Sequence, residues 1–249
     1  MPEDDVELPR GIALAWGLPS SAERRPKSDL SVERIISIAV EIADESGLSA
    51  VSMAAVAGRL GYTPMSLYRY VSAKDDLVLL MGDAAFGSAP TGIPDAPDWR
   101  EAVTRWIDAS LALYREHPWL LDLPADTMPL TPNAIGWMEA IITAFSSTHL
   151  SVDETVKAAL LIVGQTRWEA SLTRARPSAA EPTSTEADAS TAADEKGLST
   201  LVDEGALPRM AKVMRARRLF SETHGYTFGL ERTLDGLASY IDSRTPLPD

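Results

Sequence analysis

Between Ser52 and Leu77 the chain reads SMAAVAGRLGYTPMSLYRYVSAKDDL, and this stretch constrains the fold more than any other. Met53, Val56 and Leu60 recur at helical spacing, which gives a short helix one inward side. Gly61 ends it, because a helix stops readily where one residue turns left-handed. After a tight turn Thr63 can cap, and Pro64 falls at a first helical position, where its missing N–H costs nothing. In the second helix Leu67 and Val71 face the core, and the helix is expected to end near Val71. Two short helices joined this way have the dimensions of a helix-turn-helix. The exposed N-terminal residues of the second would be Thr63, Pro64, Met65 and Ser66. Tyr68, Arg69 and Tyr70 then place two phenols and a guanidinium in succession. That is costly surface unless something binds it, and a helix of this size fits the major groove of a duplex.

The flanking sequence is helical throughout, so the expected fold class is all-α. Ser31 opens a helix that runs to about Ser46, with Val32, Ile35, Ile36, Ala39, Ile42 and Ala43 on one face and Gly47 at its end. Ser72 and Asp75 fit a capping box that opens a further helix. Helices are expected over about Trp99–Glu116, from Thr131 to about Ser147, from Ser151 through Arg176, over Pro208–Phe220 and over Thr227–Asp242. Ser151 and Glu154 form a second capping box. Residues 177–200 are small, polar and acidic, with no aromatic side chain. They bury too little to offset ordering entropy and are expected to form a disordered loop. Residues 1–30 read as a flexible arm, with Ala13, Leu14 and Trp16 as a local apolar contact. Arg24, Arg25 and Lys27 lie where a basic arm touches phosphates, unless they are simply a solvated tail. The domain division is then an arm over 1–30, a DNA-binding unit over 31–86 and a second helical domain over 97–243.

Total charge argues against nucleic acid, since the 249 residues carry a net −13. Its distribution decides otherwise. Residues 1–20 carry −3, residues 77–249 carry −9, and residues 21–76 only −1, with three bases and no acid from Arg59 to Lys74. A near-neutral head can meet DNA while an acidic body faces away. The chain has no cysteine, which excludes disulfides, zinc-thiolate sites and thiol chemistry. Three scattered histidines make a metal site or cofactor an unpromising expectation. The acidic N-terminus lacks a signal-peptide pattern and no apolar run reaches membrane-span length, so a cytoplasmic protein without membrane contact is expected.

The Ser52–Leu77 stretch resembles the DNA-binding head of the TetR family of repressors. That family's pattern is carried here by Met53, Leu60-Gly61, Leu67-Tyr68-Arg69-Tyr70-Val71 and Lys74 at matching spacing. The resemblance implies phosphate contacts from Ser52, Tyr68, Tyr70 and Lys74, and base-edge contacts from Thr63, Pro64, Met65, Ser66 and Arg69. Each also has a structural reading: Thr63 and Pro64 as cap and helix starter, Met65 as a surface residue, Tyr68 as rim packing, Lys74 as a solvated charge.

From Leu207 to Ile241 the chain is similar to the C-terminal segment of the tetracycline-repressor branch of that family, through Phe228-Gly229-Leu230-Glu231 and Asp235-Gly236-Leu237. The resemblance implies a homodimer built on helices 151–176 and 227–242, reading palindromic operator DNA. Ala158, Leu161, Ile162, Gln165 and Trp168 are compatible with such a face, as are Leu230, Leu234 and Leu237; plain monomer core is the alternative. It also implies an effector pocket in the second domain, where Trp106, His117, Trp119, Met128, Trp137, Met138, Phe145 and Trp168 cluster. Taken singly these residues read as core packing; as a group, Trp with Met suits a small hydrophobic or aromatic effector. His117, in HPWLLDLP, is displaced from the position of the branch's metal-chelating histidine, which argues against tetracycline with magnesium. The leading expectation is a repressor released by its effector. An activator or ligand-independent regulator is the alternative, and an enzyme or carrier lacks any recognisable catalytic set.

Overall fold

The computed structural model describes residues 8–18, 30–124, 130–174, 207–215 and 228–244, and within them every regular element is a helix. In chain order they are α1 (Arg10–Ala15), α2 (Val32–Ser46), a 3-10 turn (Leu48–Ala50), α3 (Met53–Leu60), α4 (Pro64–Tyr68), α5 (Lys74–Phe86) and α6 (Trp99–Glu116). A second 3-10 turn (Pro118–Asp122) leads to α7 (Pro132–Ala144), α8 (Val152–Arg174), α9 (Pro208–Arg215) and α10 (Phe228–Asp242). The expected loop over 177–200, the basic residues Arg24, Arg25 and Lys27, and Met128 lie outside the described residues.

Local chemistry sets most boundaries. Ser31 Oγ accepts from Arg34 N at 3.2 Å and Ser52 Oγ from Ala55 N at 3.1 Å, so both helices start on hydroxyl caps. The end of α3 is a Schellman closure: Tyr62 N donates to Ala57 O and Gly61 N to Gly58 O, with Gly61 left-handed at φ 77°. A Cβ at Gly61 would meet no atom within 4 Å, so only backbone strain opposes a side chain there. Gly61→Ala is therefore expected to lower unfolding free energy by about 1–2 kcal/mol, read from urea melts. A larger loss would mean that the turn is packed as well as bent.

Three expectations need correction. The box from Ser72 does not form: α5 starts one residue later on an extended Ala73, and Ser72 Oγ donates to the Asp76 carboxylate at 2.7 Å instead. The helix opening at Pro64 ends at Tyr68 rather than Val71: Tyr70 N turns back to Leu67 O in a tightened last turn, and Leu67 and Val71 are both fully inside. Residues 10–18 are not a loose arm. α1 packs along α5 with Gly11 buried, and Trp16 Nε1 donates to Leu130 O at 2.9 Å.

Buried side chains form one continuous cluster from Leu30 to Ile241. α6, α7 and α8 pack on one another, and α10 lies on α8 with Leu230, Leu234, Leu237 and Ile241 inward. The ends of the Gln165 and Glu169 side chains lie over Gly229, where a Cβ would push them aside. The Ser151 box does form: Ser151 N donates to Glu154 Oε2 at 2.9 Å and Glu154 N to Ser151 Oγ at 3.4 Å. Tyr240 OH adds a bond to Glu154 Oε1, and it leads the contacts that hold this carboxyl down at about 2.

Candidate nucleic-acid interface

The edge that meets DNA in the sequence reading is built by α3, the glycine turn and α4. Leu67 and Val71 are completely buried, and this anchors α4 with its opposite side outward. Thr63, Pro64, Met65, Tyr68, Arg69 and Lys74 are exposed, while Ser52, Ser66 and Tyr70 are half-buried. Met65 leads with 74% of its surface free. Thr63 caps α4 by position only, because its hydroxyl pairs with that of Ser66 at 3.0 Å rather than with a backbone N–H. The cations of this stretch differ in availability. Arg59 is held by Glu45 through two bonds of 2.6 and 2.5 Å, and the two groups stabilise each other's charged forms. Arg69 and Lys74 make no ion pair among the described residues.

The body holds the expected aromatic cluster in part. Trp106 and Trp137 meet edge-to-face at 5.9 Å, Trp137 tilts against Phe86 at 6.2 Å, and Phe145 stacks on Trp99 at 5.9 Å. Trp106 Nε1 donates to Trp137 O, Trp137 Nε1 donates to Phe86 O, and Met138 packs half-buried at the edge. Two members belong elsewhere. His117 Nδ1 and Trp119 Nε1 both reach Asp44 Oδ1 on α2, at 2.8 and 2.7 Å, so their ring nitrogens point to α2 rather than to the Trp106–Trp137 pair. Trp168 is 59% exposed on the outer side of α8, outside the cluster. An open groove of about 430 Å³ runs between the head and the Pro118–Asp122 turn, lined by Gly47, Leu48, Ser49, Lys74, Val78 and Asp122; it does not include the aromatic cluster.

Of the residues expected at a dimer face, Leu161 and Trp168 are exposed and most of the others are covered within the chain. Ala158, Ile162, Leu230, Leu234 and Leu237 are buried within the chain, and Gln165 lies against Gly229 of α10. The resemblance gave these residues to a dimer face, and the packing of α8 against α6, α7 and α10 covers them within the chain. What faces out along α8 is Val156, Leu160, Leu161 and Trp168, with Gly164 open among them. Sequence reading missed three polar anchors: Asp44, Asp83 and Arg167. Asp83 Oδ1 accepts from Asn133 N at 2.9 Å and so caps α7 from α5. None lies in a motif, and their partners are 44 or more residues away.

Among the described residues, no group of three or more His, Cys, Asp or Glu could hold a metal ion, and no helix is long and apolar enough to cross a membrane.

A capped helix, a left-handed glycine turn and a short helix with an exposed polar edge define a helix-turn-helix protein. Residues 35–81 match the family described as bacterial regulatory proteins, tetR family, and residues 92–241 match the tetracyclin repressor-like C-terminal domain. The chain is 33% identical over 245 residues to the HTH-type transcriptional repressor DrrR1 of Streptomyces coeruleorubidus, covering 96% of this chain and 88% of that one. It is 35% identical over 133 residues to an HTH-type transcriptional regulator of Saccharopolyspora erythraea, covering 53% and 56%. Among solved structures, ActR of Streptomyces coelicolor in complex with actinorhodin superposes with a TM-score of 0.72 at 23% identity, over 87% of this chain and 99% of that one. The chain belongs to the TetR family of helix-turn-helix transcriptional regulators.

Proposed function

We propose that this protein is a homodimeric repressor that binds a palindromic operator through α4 and is released by a small hydrophobic or aromatic effector. The observation that carries the DNA half is the outward edge from Thr63 to Lys74, with hydroxyls, a thioether, phenols and two cations that make no ion pair among the described residues, on a buried Leu67–Val71 anchor. Thr63, Pro64, Met65, Ser66 and Arg69 face base edges in this reading, and Ser52, Tyr68, Tyr70 and Lys74 hold phosphates. Head and body divide at about residues 31–86 and 97–243. The second copy sits on the outer face of α8, where Leu161 and Trp168 are 49% and 59% exposed. Two recognition helices carried by a dimer address half-sites one DNA turn apart.

Support for the effector half comes from ActR, whose structure holds actinorhodin, and from the aromatic cluster of Trp106, Trp137 and Phe145 in the body. One observation favours a ligand-independent regulator: the indole N–H groups of that cluster are already bonded to carbonyls of the chain. Titrating a preformed protein–operator complex with aromatic compounds separates the two readings, because only the first predicts release. The DNA contact itself is tested by salt. Lys74→Ala is expected to weaken binding about equally on all sequences and to reduce the slope of log K against log salt by about 2, one phosphate contact for each copy of the dimer. Arg59→Ala is expected to leave that slope unchanged, because Glu45 already neutralises the guanidinium.

A further inference from the structure

We infer that Asp44 is a positioning residue, pinning the DNA-reading head to the Pro118–Asp122 turn and so fixing the angle at which α4 is presented. The inference rests on the proposed reading of α4 for its functional consequence, though not for its structural one. The head joins the body along α5. There Asp83 caps α7, Trp137 Nε1 reaches Phe86 O, and α1 adds a bridge from Trp16 to Leu130. Attachment along one helix leaves rotation about that helix as a soft motion. Asp44 supplies a second point of attachment from α2. Its Oδ1 accepts from Trp119 Nε1 at 2.7 Å and contacts His117 Nδ1 at 2.8 Å.

The other side of the same turn is held by α8. Arg167 donates to the carbonyls of Leu120, Leu121 and Leu123 at 3.2, 2.9 and 2.5 Å. Arg174 donates to Pro118 O at 2.9 Å and to Asp122 Oδ1 at 2.7 Å. The turn is therefore a rigid knuckle between two helices, one in each part of the chain. Trp119 is 2% exposed, so its ring cannot shift without the turn. Arg167 directly precedes Trp168, on the helix whose outer face is the proposed dimer seat. Head orientation is thus referred to the same helix that sets the spacing between two copies. His117, which has no place in the aromatic cluster, has its role here.

The test uses the full chain, whose lack of native cysteine allows clean labelling. Ser37→Cys on the head and Glu139→Cys on the body, both exposed, carry spin labels, with labelled chains diluted into unlabelled ones. The distance distribution is measured by electron–electron resonance for the parent and for Asp44→Ala, with Glu41→Ala as control. The parent and the control are expected to give one narrow peak, and Asp44→Ala a broadened or split one. On a duplex taken by in vitro selection, Asp44→Ala is expected to lose about 5- to 150-fold in affinity. It should also lose its preference for one half-site spacing. If Asp44→Ala fails to fold, the double variant His117→Leu, Trp119→Phe removes the same bonds from the other side and must give the same broadening. An unchanged peak in a folded variant overturns the inference, whether or not DNA binding weakens. If the parent binds no DNA while the distances still broaden, the pinning stands and the reading of α4 fails.

Discussion

Arg69→Ala is expected to weaken operator binding by about 1–3 kcal/mol, roughly 5- to 150-fold, with helical content and self-association unchanged. Arg69 is exposed, caps the end of α4 and has no ion pair among the described residues, so its removal leaves the fold without an orphaned partner. Its guanidinium is the side chain on this edge best shaped for guanine or phosphate. The two targets give different signatures: a base contact relaxes specificity at one position, whereas a phosphate contact weakens all sequences alike. Tyr68→Phe, which removes only a hydroxyl that is 44% exposed with its residue, is expected to cost about 1.5 kcal/mol if that hydroxyl donates to a phosphate. Fluorescence anisotropy against selected and scrambled duplexes reads both. A variant that binds normally removes its residue from the interface.

The second large effect concerns tryptophans that look equivalent in sequence. Trp119→Ala empties a fully buried site and strips Asp44 of a donor, so it is expected to destabilise the chain by about 3–5 kcal/mol. For a chain of this length that lowers the melting temperature by roughly 6–20 °C. Trp168→Ala removes a side chain that the folded chain does not bury, and its direct cost to the chain's own packing is expected to stay within about 0.5 kcal/mol. Its effect should appear in assembly instead, weakening self-association by about 2 kcal/mol or more as a central aromatic anchor does. Thermal melts and sedimentation on both variants decide the matter. The reverse pattern would place Trp168 in a core and Trp119 at a surface.

Local rules explain what was legible. Ser31 and Ser151 each cap the helix that begins at the next residue, and the chemistry of capping spans only three residues. Gly61 is legible for the same reason. What failed was non-local. An apolar stripe at helical spacing says that a face is covered but not by what; for Leu230, Leu234 and Leu237 the cover is α8 of the same chain. Ser72 looked like a cap, yet the start of α5 moved one residue along and its hydroxyl turned to Asp76. Arg59 looked like one of three available cations, and Glu45, 14 residues away across a turn, had already taken it. His117 and Trp119 matched an aromatic pocket by type, and a single carboxylate on α2 drew both to the opposite side.

Selection of a randomised duplex library with the full chain, followed by titration of the enriched duplex over roughly 50–200 mM salt, decides whether α4 reads operator DNA. The expected result is an inverted repeat whose half-sites lie about 10 bp apart, with affinity that falls steeply as salt rises. Enrichment of no sequence, or binding indifferent to salt, would contradict it.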